Sequence, residues 1–201
     1  MAVPLHHAER IVSVRHCLPS WIVSCRVLLV AAAVVMSAAR VEAQSARSAD
    51  IQAGFLVNFA RFVSWPATHL PAAQPVLIGV VGSGAVADSL NASVKGKTIA
   101  GRAIVVKRLT ALDDPRQVHL LFIGEGDRAH VAEVLRKIGG HAVLTVSDAP
   151  HFCLAGGIIQ LRNEDDRIRF DINLDRAETA GLTINSKLLA LAGAINPTKN
   201  D

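Results

Sequence analysis

A series of short, nearly continuous apolar runs constrains the fold of this chain more than any other feature. Runs of four to six apolar residues are typical of strands covered on both faces, as in a parallel sheet. We assign them to strands at Val76–Val81, 104–106, 118–123 and 143–146. Segments with helical character, at 85–90 and 127–137, separate several of these runs. Such alternation predicts a mostly parallel central sheet flanked by helices.

A helix is predicted before the first strand. Ser48 is a suitable N-cap residue, and Trp65 followed by Pro66 ends the pattern because a residue preceding proline is disfavoured in a helix. Apolar residues recur between them at spacings of three and four, which places them on one face: Ile51, Phe55, Phe59 and Phe62.

The C-terminal part predicts an antiparallel hairpin. Its strands are 158–161 and 168–174, on either side of a polar turn at 163–166. The second strand alternates strictly, which predicts a buried face of Ile168, Phe170, Ile172 and Leu174 and an outer face of Arg169, Asp171 and Asn173.

A final helix, capped by Asn185 or Ser186, is predicted to pack Leu188, Leu191, Ala192 and Ile195 inward. The whole pattern indicates an α/β fold: a single three-layer domain with a mostly parallel central sheet flanked by helices and a C-terminal antiparallel hairpin.

The first 43 residues are typical of a cleaved export signal. Three arginines precede an uncharged run at 27–39, which is shorter than the roughly 20 apolar residues that span a bilayer. Val41, Glu42 and Ala43 form a small-residue cleavage site, so we expect the mature protein to begin at Gln44 and to reside in the periplasm. A retained N-terminal anchor is the alternative.

The charge and cysteine content of the chain argue against two features, a nucleic-acid-binding surface and an internal disulfide. The chain has a formal net charge of +4, but the predicted leader contains four arginines and two glutamates, so residues 44–201 carry 17 basic and 15 acidic residues, a net charge of +2. No dense basic stripe with interleaved aromatics remains, which argues against a nucleic-acid surface. Cys153 is the one cysteine outside the leader, which excludes an internal disulfide in the mature chain.

The glycine-rich segment 82–87 follows a strand and opens a helix, the position in which a dinucleotide-binding turn would lie. Lys107 and Arg108 follow the next strand. Because glycines also permit an ordinary strand-to-helix turn, we expect no bound cofactor.

Asp148, His151 and Cys153 are the nearest approach to a catalytic or metal-binding group. A third residue that would orient a nucleophile is not evident, and apolar neighbours favour a packed thiol. We therefore expect no catalytic residues, no metal and no enzymatic activity.

Two segments resemble a known family. One is F-L-V-N-F-A-R-F-V-S-W-P at 55–66; the other, at 151–195, includes G-G-I-I, R-I-R-F-D-I-N-L and a Leu-rich final segment. Both resemble the YfiR-like family of periplasmic proteins. The resemblance implies a repressor that binds the periplasmic sensor domain of an inner-membrane diguanylate cyclase and lowers cyclic di-GMP synthesis. It also implies a homodimer, and an outer-membrane, peptidoglycan-associated lipoprotein that sequesters the repressor.

We expect the partner-binding surface near the C-terminal hairpin, because its apolar residues lie close to loops. The predicted members are Phe152, Leu154, Ile158, Ile159, Arg162 and Arg167, with Cys153 as a possible intermolecular thiol. Two alternatives stay open. One is a small-ligand-binding domain that uses the crevice near 82–84, and the other is a hydrolase dependent on Cys153.

Overall fold

The structure is a computed structural model that describes residues 44–164 and 167–196. The predicted signal peptide, its cleavage site and Cys17 and Cys25 lie outside the described residues, as do the last two residues of the predicted hairpin turn, 165 and 166. Within the described ranges, no helix has both the length and the apolar character needed to cross a membrane.

The described residues contain five helices and nine strands in chain order. The helices are α1 (44–62), α2 (Gly84–Ser93), α3 (Val131–Ile138), α4 (Leu174–Thr179) and α5 (Ser186–Leu189), with 3₁₀ turns at Pro115–Gln117 and Glu125–His130. The strands are β1 (Val63–Ser64), β2 (Val76–Val81), β3 (Thr98–Ile99), β4 (Arg102–Leu109), β5 (Leu120–Ile123), β6 (Leu144–Ser147), β7 (Ile159–Glu164), β8 (Arg167–Ile172) and β9 (Thr183–Ile184).

Seven strands form the central sheet in the order β3-β4-β2-β5-β6-β7-β8. The five inner strands, from β4 to β7, run parallel, whereas β3 and β8 pair antiparallel at the two ends. β1 and β9 form a separate two-stranded sheet that ties the end of α1 to the C-terminal part of the domain. The predicted parallel sheet and C-terminal hairpin are confirmed.

Helices cover both faces of this sheet. In β5, Leu120 and Phe122 belong to the apolar core built with α1 and α2, whereas Leu121 and Ile123 belong to the core built with α3. Because successive side chains of a strand point to opposite faces, β5 separates the two cores. The three-layer α/β prediction is therefore confirmed.

The buried stripe of α1 matches the predicted one only in part: Phe59 is fully buried and Phe55 and Phe62 pack against the core. The helix is already formed at residue 44, so Ser48 is not its N-cap, and Ile51 is 49% exposed. Alanines carry much of the buried face, at alternating spacings of four and three: Ala49, Ala53, Leu56, Ala60 and, just beyond the helix, Val63. Small side chains let the helix approach the sheet closely, and a pattern of large apolar residues does not include them.

The C-terminal elements also differ from prediction. β8 ends at Ile172, and Leu174 begins α4, whose first turn is capped by the Asn173 side chain. The last helix ends at Leu189, which leaves Leu191 70% and Ile195 47% exposed.

The reason for the short final helix is a backbone pairing that sequence periodicity does not reveal. The Ile172 amide donates to the Ala194 carbonyl at 2.9 Å, and the Gly193 amide donates to the Phe170 carbonyl at 2.8 Å. The segment 193–196 therefore runs beside β8 and covers its outer edge.

Candidate functional site

Three of the six predicted partner-binding residues lie in the core. Phe152, Ile158 and Ile159 are 1%, 2% and 0% exposed. Ile159 begins β7, which lies between β6 and β8, and Phe152 packs with the α3 side of the sheet. Because the loop before β7 folds inward, these three side chains are not available to a partner in this conformation, although they lie close to loops as predicted.

Two glycines make this inward fold possible. Gly156 has a φ of +95°, in the left-handed region that side chains disfavour. Gly157 lies directly against the Phe152 ring: a Cβ at residue 157 would stand 2.1 Å from Phe152 Cε1. The G-G-I-I motif is thus a packing requirement.

Leu154 is the exposed apolar member of the predicted surface, with 43% of the residue accessible. Its neighbour Ala155 lines a shallow depression of about 310 Å³ between the loop after β6 and the start of α3. The rest of the lining is mainly apolar, with one arginine: Arg128, Val131, Ala132, Ala149, Pro150 and Phe152.

The two predicted arginines have different environments. Arg167 is exposed at the start of β8. Arg162 instead binds Asp171, which is buried although the alternation of β8 predicts it on the outer face. The distances are 2.6 Å from Nε to Oδ2 and 2.9 Å from Nη2 to Oδ1, and Glu164 also pairs with Arg162.

Cys153 is buried, with 2% of the residue exposed. Its Sγ lies 3.6 Å from the Ile158 carbonyl oxygen and 3.7 Å from that of Asp171. Burial, together with the nearby Asp171 charge, raises the pKa of the thiol to about 12, so it is protonated at neutral pH. Such a thiol is a poor nucleophile, and in this conformation it is closed to a second chain.

Asp148 and His151, which are close to Cys153 in sequence, have environments separate from that of the thiol. Asp148 Oδ2 accepts a hydrogen bond from Gln52 Nε2 at 3.0 Å, and His151 is exposed. In the part of the chain that the structure describes, no three His, Cys, Asp or Glu side chains are grouped to hold a metal ion.

Asp148 lies in a cleft of about 470 Å³ at the carboxyl ends of β5 and β6. Polar side chains from α1, β7 and these strand ends share the lining: Ser48, Gln52, Glu125, Gln160, Arg162 and Asn163. Burial raises the pKa of the Asp148 carboxyl, and the Gln52 hydrogen bond partly opposes that rise. The carboxyl ends of parallel strands are where small ligands commonly bind in such sheets.

The glycine turn at 82–84 is filled by another side chain. Gly82 has a φ of +75°, and a Cβ there would lie 2.2 Å from Asp127 Oδ2. Ser83 Oγ accepts a hydrogen bond from the Val86 amide and so caps α2. Arg108 pairs with Asp88. The glycines at 82 and 84 are therefore explained by the tight connection between β2 and α2.

A buried histidine that the sequence did not single out holds the segment after α1 in place. His119 Nδ1 accepts the Leu77 amide proton at 2.9 Å, which places the ring proton on Nε2, 3.2 Å from the His69 carbonyl oxygen. Trp65 Nε1 donates to the His119 carbonyl at 3.0 Å. The conspicuous Trp65 is therefore anchored to the sheet.

Comparison with known proteins identifies the family. A sequence model described as YfiR/HmsC-like matches residues 49–193. The chain belongs to this family. The match covers both signature segments and nearly the whole described domain, which confirms the resemblance. YfiR/HmsC-like proteins are periplasmic and regulate diguanylate cyclase signalling.

Solved structures show only distant similarity. A conserved domain protein from Vibrio cholerae O1 biovar El Tor shares 18% identity at a TM-score of 0.45, over 64% of this chain and 57% of that one. The ABC domain in complex with L-Trp from Streptococcus pneumoniae shares 12% identity at a TM-score of 0.45, over 60% of this chain and 55% of that one. The chain thus spans less than two thirds of either structure, and similarities this distant do not bear on function.

Proposed function

We propose that this protein binds the periplasmic sensor domain of an inner-membrane diguanylate cyclase and represses the synthesis of cyclic di-GMP. The observation that carries this proposal is the YfiR/HmsC-like family match over residues 49–193. The protonated, buried Cys153 thiol also favours a binding role over a catalytic one.

Repression follows from linked equilibria. A protein that binds the inactive state of the cyclase more tightly than the active state shifts the population toward the inactive state. An outer-membrane, peptidoglycan-associated lipoprotein that binds the same repressor removes it from the cyclase and raises cyclic di-GMP. The repressor itself acts as a homodimer in this proposal.

We place the cyclase-binding surface at the exposed Leu154, the adjoining apolar depression and Arg167. A leucine that enters a partner pocket supplies apolar burial, and an exposed arginine of the hairpin supplies charge complementarity. Arg162 contributes indirectly, because its ion pair with Asp171 holds the hairpin that carries Arg167.

The decisive experiment measures intracellular cyclic di-GMP in the native host with and without the gene. Deletion should raise cyclic di-GMP, and the wild-type gene should restore the low level. Leu154→Glu should fail to restore it, while Leu112→Glu, which changes a leucine 86% exposed on the loop after β4, should restore it fully.

Unchanged cyclic di-GMP after deletion, in a strain shown to express the protein and an active cyclase, would refute the repressor function. Full complementation by Leu154→Glu at wild-type protein levels would refute only the assigned surface.

The polar cleft around Asp148 supports a second candidate, a small-ligand-binding accessory domain. A ligand that binds the folded state raises the Tm by mass action. A panel of polar metabolites should then raise the Tm of the wild type and have less effect on Gln160→Ala; a Tm unmoved by every metabolite would remove the support for this candidate.

A further inference from the structure

The outer edge of β4 is open over most of its length. β3 pairs only with Arg102 and Ala103, through Ile99 and Thr98. On the other side, β2 pairs with β4 from Ile104 to Leu109. Among the described strands, none lies beyond β4 over this six-residue stretch. Because backbone groups of a strand point alternately to either side, half of those in 104–109 face outward.

The opposite edge of the sheet, formed by β8, is covered. There the segment 193–196 runs along β8 and forms backbone hydrogen bonds with Phe170 and Ile172. The same domain thus covers one edge with its own chain and leaves six residues of the other uncovered. At about 3.3 Å per residue, the open stretch is long enough for five or six residues of an added strand.

Charge distinguishes this edge from the rest of the protein. Residues 89–112 contain five basic residues and no acidic one: Lys95, Lys97, Arg102, Lys107 and Arg108. The remainder of residues 44–201 has 12 basic and 15 acidic residues, a net charge of −3. Arg108 is neutralised by Asp88, whereas Lys95, Lys97 and Lys107 are exposed. The local field therefore attracts anionic groups.

A shallow groove of about 700 Å³ follows the first half of this edge. Its lining includes Asn91, Val94 and Lys95 at the end of α2 and residues 103–106 of β4. Ile104 and Val106 lie on the α2 face of the sheet, whereas Val105, which is 39% exposed, lies on the opposite face. Apolar β4 residues flanked by lysines suit a chain segment that alternates apolar and acidic side chains.

We propose that the outer edge of β4 binds an extended, acidic segment of a partner protein by strand addition. Backbone hydrogen bonds to 104–109 supply the binding, and Lys97 and Lys107 select acidic side chains. A second copy of this edge is disfavoured as the occupant, because it would bring the same lysines together. This surface is separate from Leu154 and does not depend on the diguanylate cyclase assignment.

The test uses a soluble synthetic heptapeptide that alternates glutamate and valine, and the purified protein at low salt. Titration should give saturable binding, and hydrogen exchange should slow at alternate amides of 104–109. Lys97→Glu/Lys107→Glu should weaken binding at least tenfold, whereas the matched charge change Arg136→Glu/Lys187→Glu, at exposed sites elsewhere, should leave affinity within twofold. A peptide N-methylated at every residue, which cannot donate any backbone hydrogen bond, should not bind.

Several outcomes would overturn the proposal. They are no binding, binding without protection of 104–109, and equal affinity for the N-methylated peptide. Protection of 104–109 that rises with protein concentration in the absence of peptide would instead identify a second copy as the occupant. Protection of the same amides by vesicles of anionic phospholipid, but not by peptide, would identify a membrane surface and equally refute the proposal. The cyclic di-GMP assay with Leu154→Glu reports on the other surface, so failure of one proposal is distinguishable from failure of the other.

Discussion

Arg162 on β7 and Asp171 on β8 form a two-point ion pair across the C-terminal hairpin, with Nε 2.6 Å from Oδ2 and Nη2 2.9 Å from Oδ1. Gly193 of the C-terminal segment lies over this pair, since a Cβ there would be 3.0 Å from Arg162 Nη2. The C-terminal segment therefore partly covers this ion pair. Arg162, which was predicted to contact a partner, thus forms an ion pair within the domain instead.

Removing Arg162 should destabilise the domain, because Asp171 would stay buried without its counter-charge. Breaking a buried ion pair from one side typically costs about 3–5 kcal/mol, and the partial exposure of Arg162 places Arg162→Ala near the lower end of that range. Urea unfolding measures the loss. Arg167→Ala, at an exposed site on the same hairpin, should change the free energy of unfolding by less than about 0.5 kcal/mol.

Equal unfolding free energies for Arg162→Ala and Arg167→Ala would show that the Asp171 pair contributes nothing to stability. Arg162→Met combined with Asp171→Leu should recover part of the loss, because it removes both buried charges together.

Gly157→Ala should destabilise the domain by about 1–3 kcal/mol, the usual cost of overpacking a core. The added Cβ would overlap the Phe152 ring, which is 1% exposed and has little room to move. The Tm should fall by several degrees. Gly140→Ala is the matched control: a Cβ there meets nothing within 4 Å, so the Tm should be unchanged or slightly higher. A Tm for Gly157→Ala equal to that of Gly140→Ala would contradict the close approach of Phe152.

The sheet was predictable because its signal is local. β2 matches its predicted bounds, and β5 and β6 lie within two residues of theirs, since strands covered on both faces are apolar throughout. The stripe Val131, Leu135 and Ile138 of α3 is buried as predicted. The burial of these segments follows from their own apolar residues, so it could be predicted from the local sequence.

The candidate site was less predictable because burial of a loop depends on distant partners. Phe152 follows no periodic pattern, and only the Gly157 backbone beneath its ring explains its burial. Asp171 alternates with apolar residues as an exposed side chain would, yet Arg162 compensates its charge from the next strand. The sequence does contain one signal for this ion pair: Arg162 and Asp171 carry opposite charges and lie near facing positions of the predicted hairpin.

Cys153 should resist modification in the native protein. Its pKa is raised to about 12 by burial, so thiolate is scarce at pH 8, and the side chain is 2% exposed. A disulfide reagent such as dithionitrobenzoate should react slowly in buffer and rapidly in urea. Denaturing gels of the native protein run without reductant should show no Cys153-dependent dimer. Rapid native labelling, or a covalent dimer that Cys153→Ser removes, would mean that this loop opens and would restore the intermolecular thiol hypothesis.

Mild acid should weaken the domain through His119. Burial lowers the pKa of this imidazole below its ordinary value of 6.5, and the His69 carbonyl opposes the shift while the nearby His69 and Arg102 charges add to it. Below pH 6.5 the unfolded chain gains a proton that folded His119 does not take up, so unfolding becomes easier as the pH falls toward the folded pKa.

The wild-type Tm should therefore fall more steeply between pH 7.5 and pH 5 than the Tm of His119→Gln. At pH 7.5 the variant should nevertheless be less stable than the wild type, because glutamine cannot reproduce both the contact to the Leu77 amide and the contact to the His69 carbonyl. Protonation would remove the Nδ1 lone pair that accepts the Leu77 amide proton. His130→Gln, at an exposed site, is the matched control and should retain the wild-type slope. Parallel Tm curves for all three proteins would show that His119 does not set the acid sensitivity of the fold.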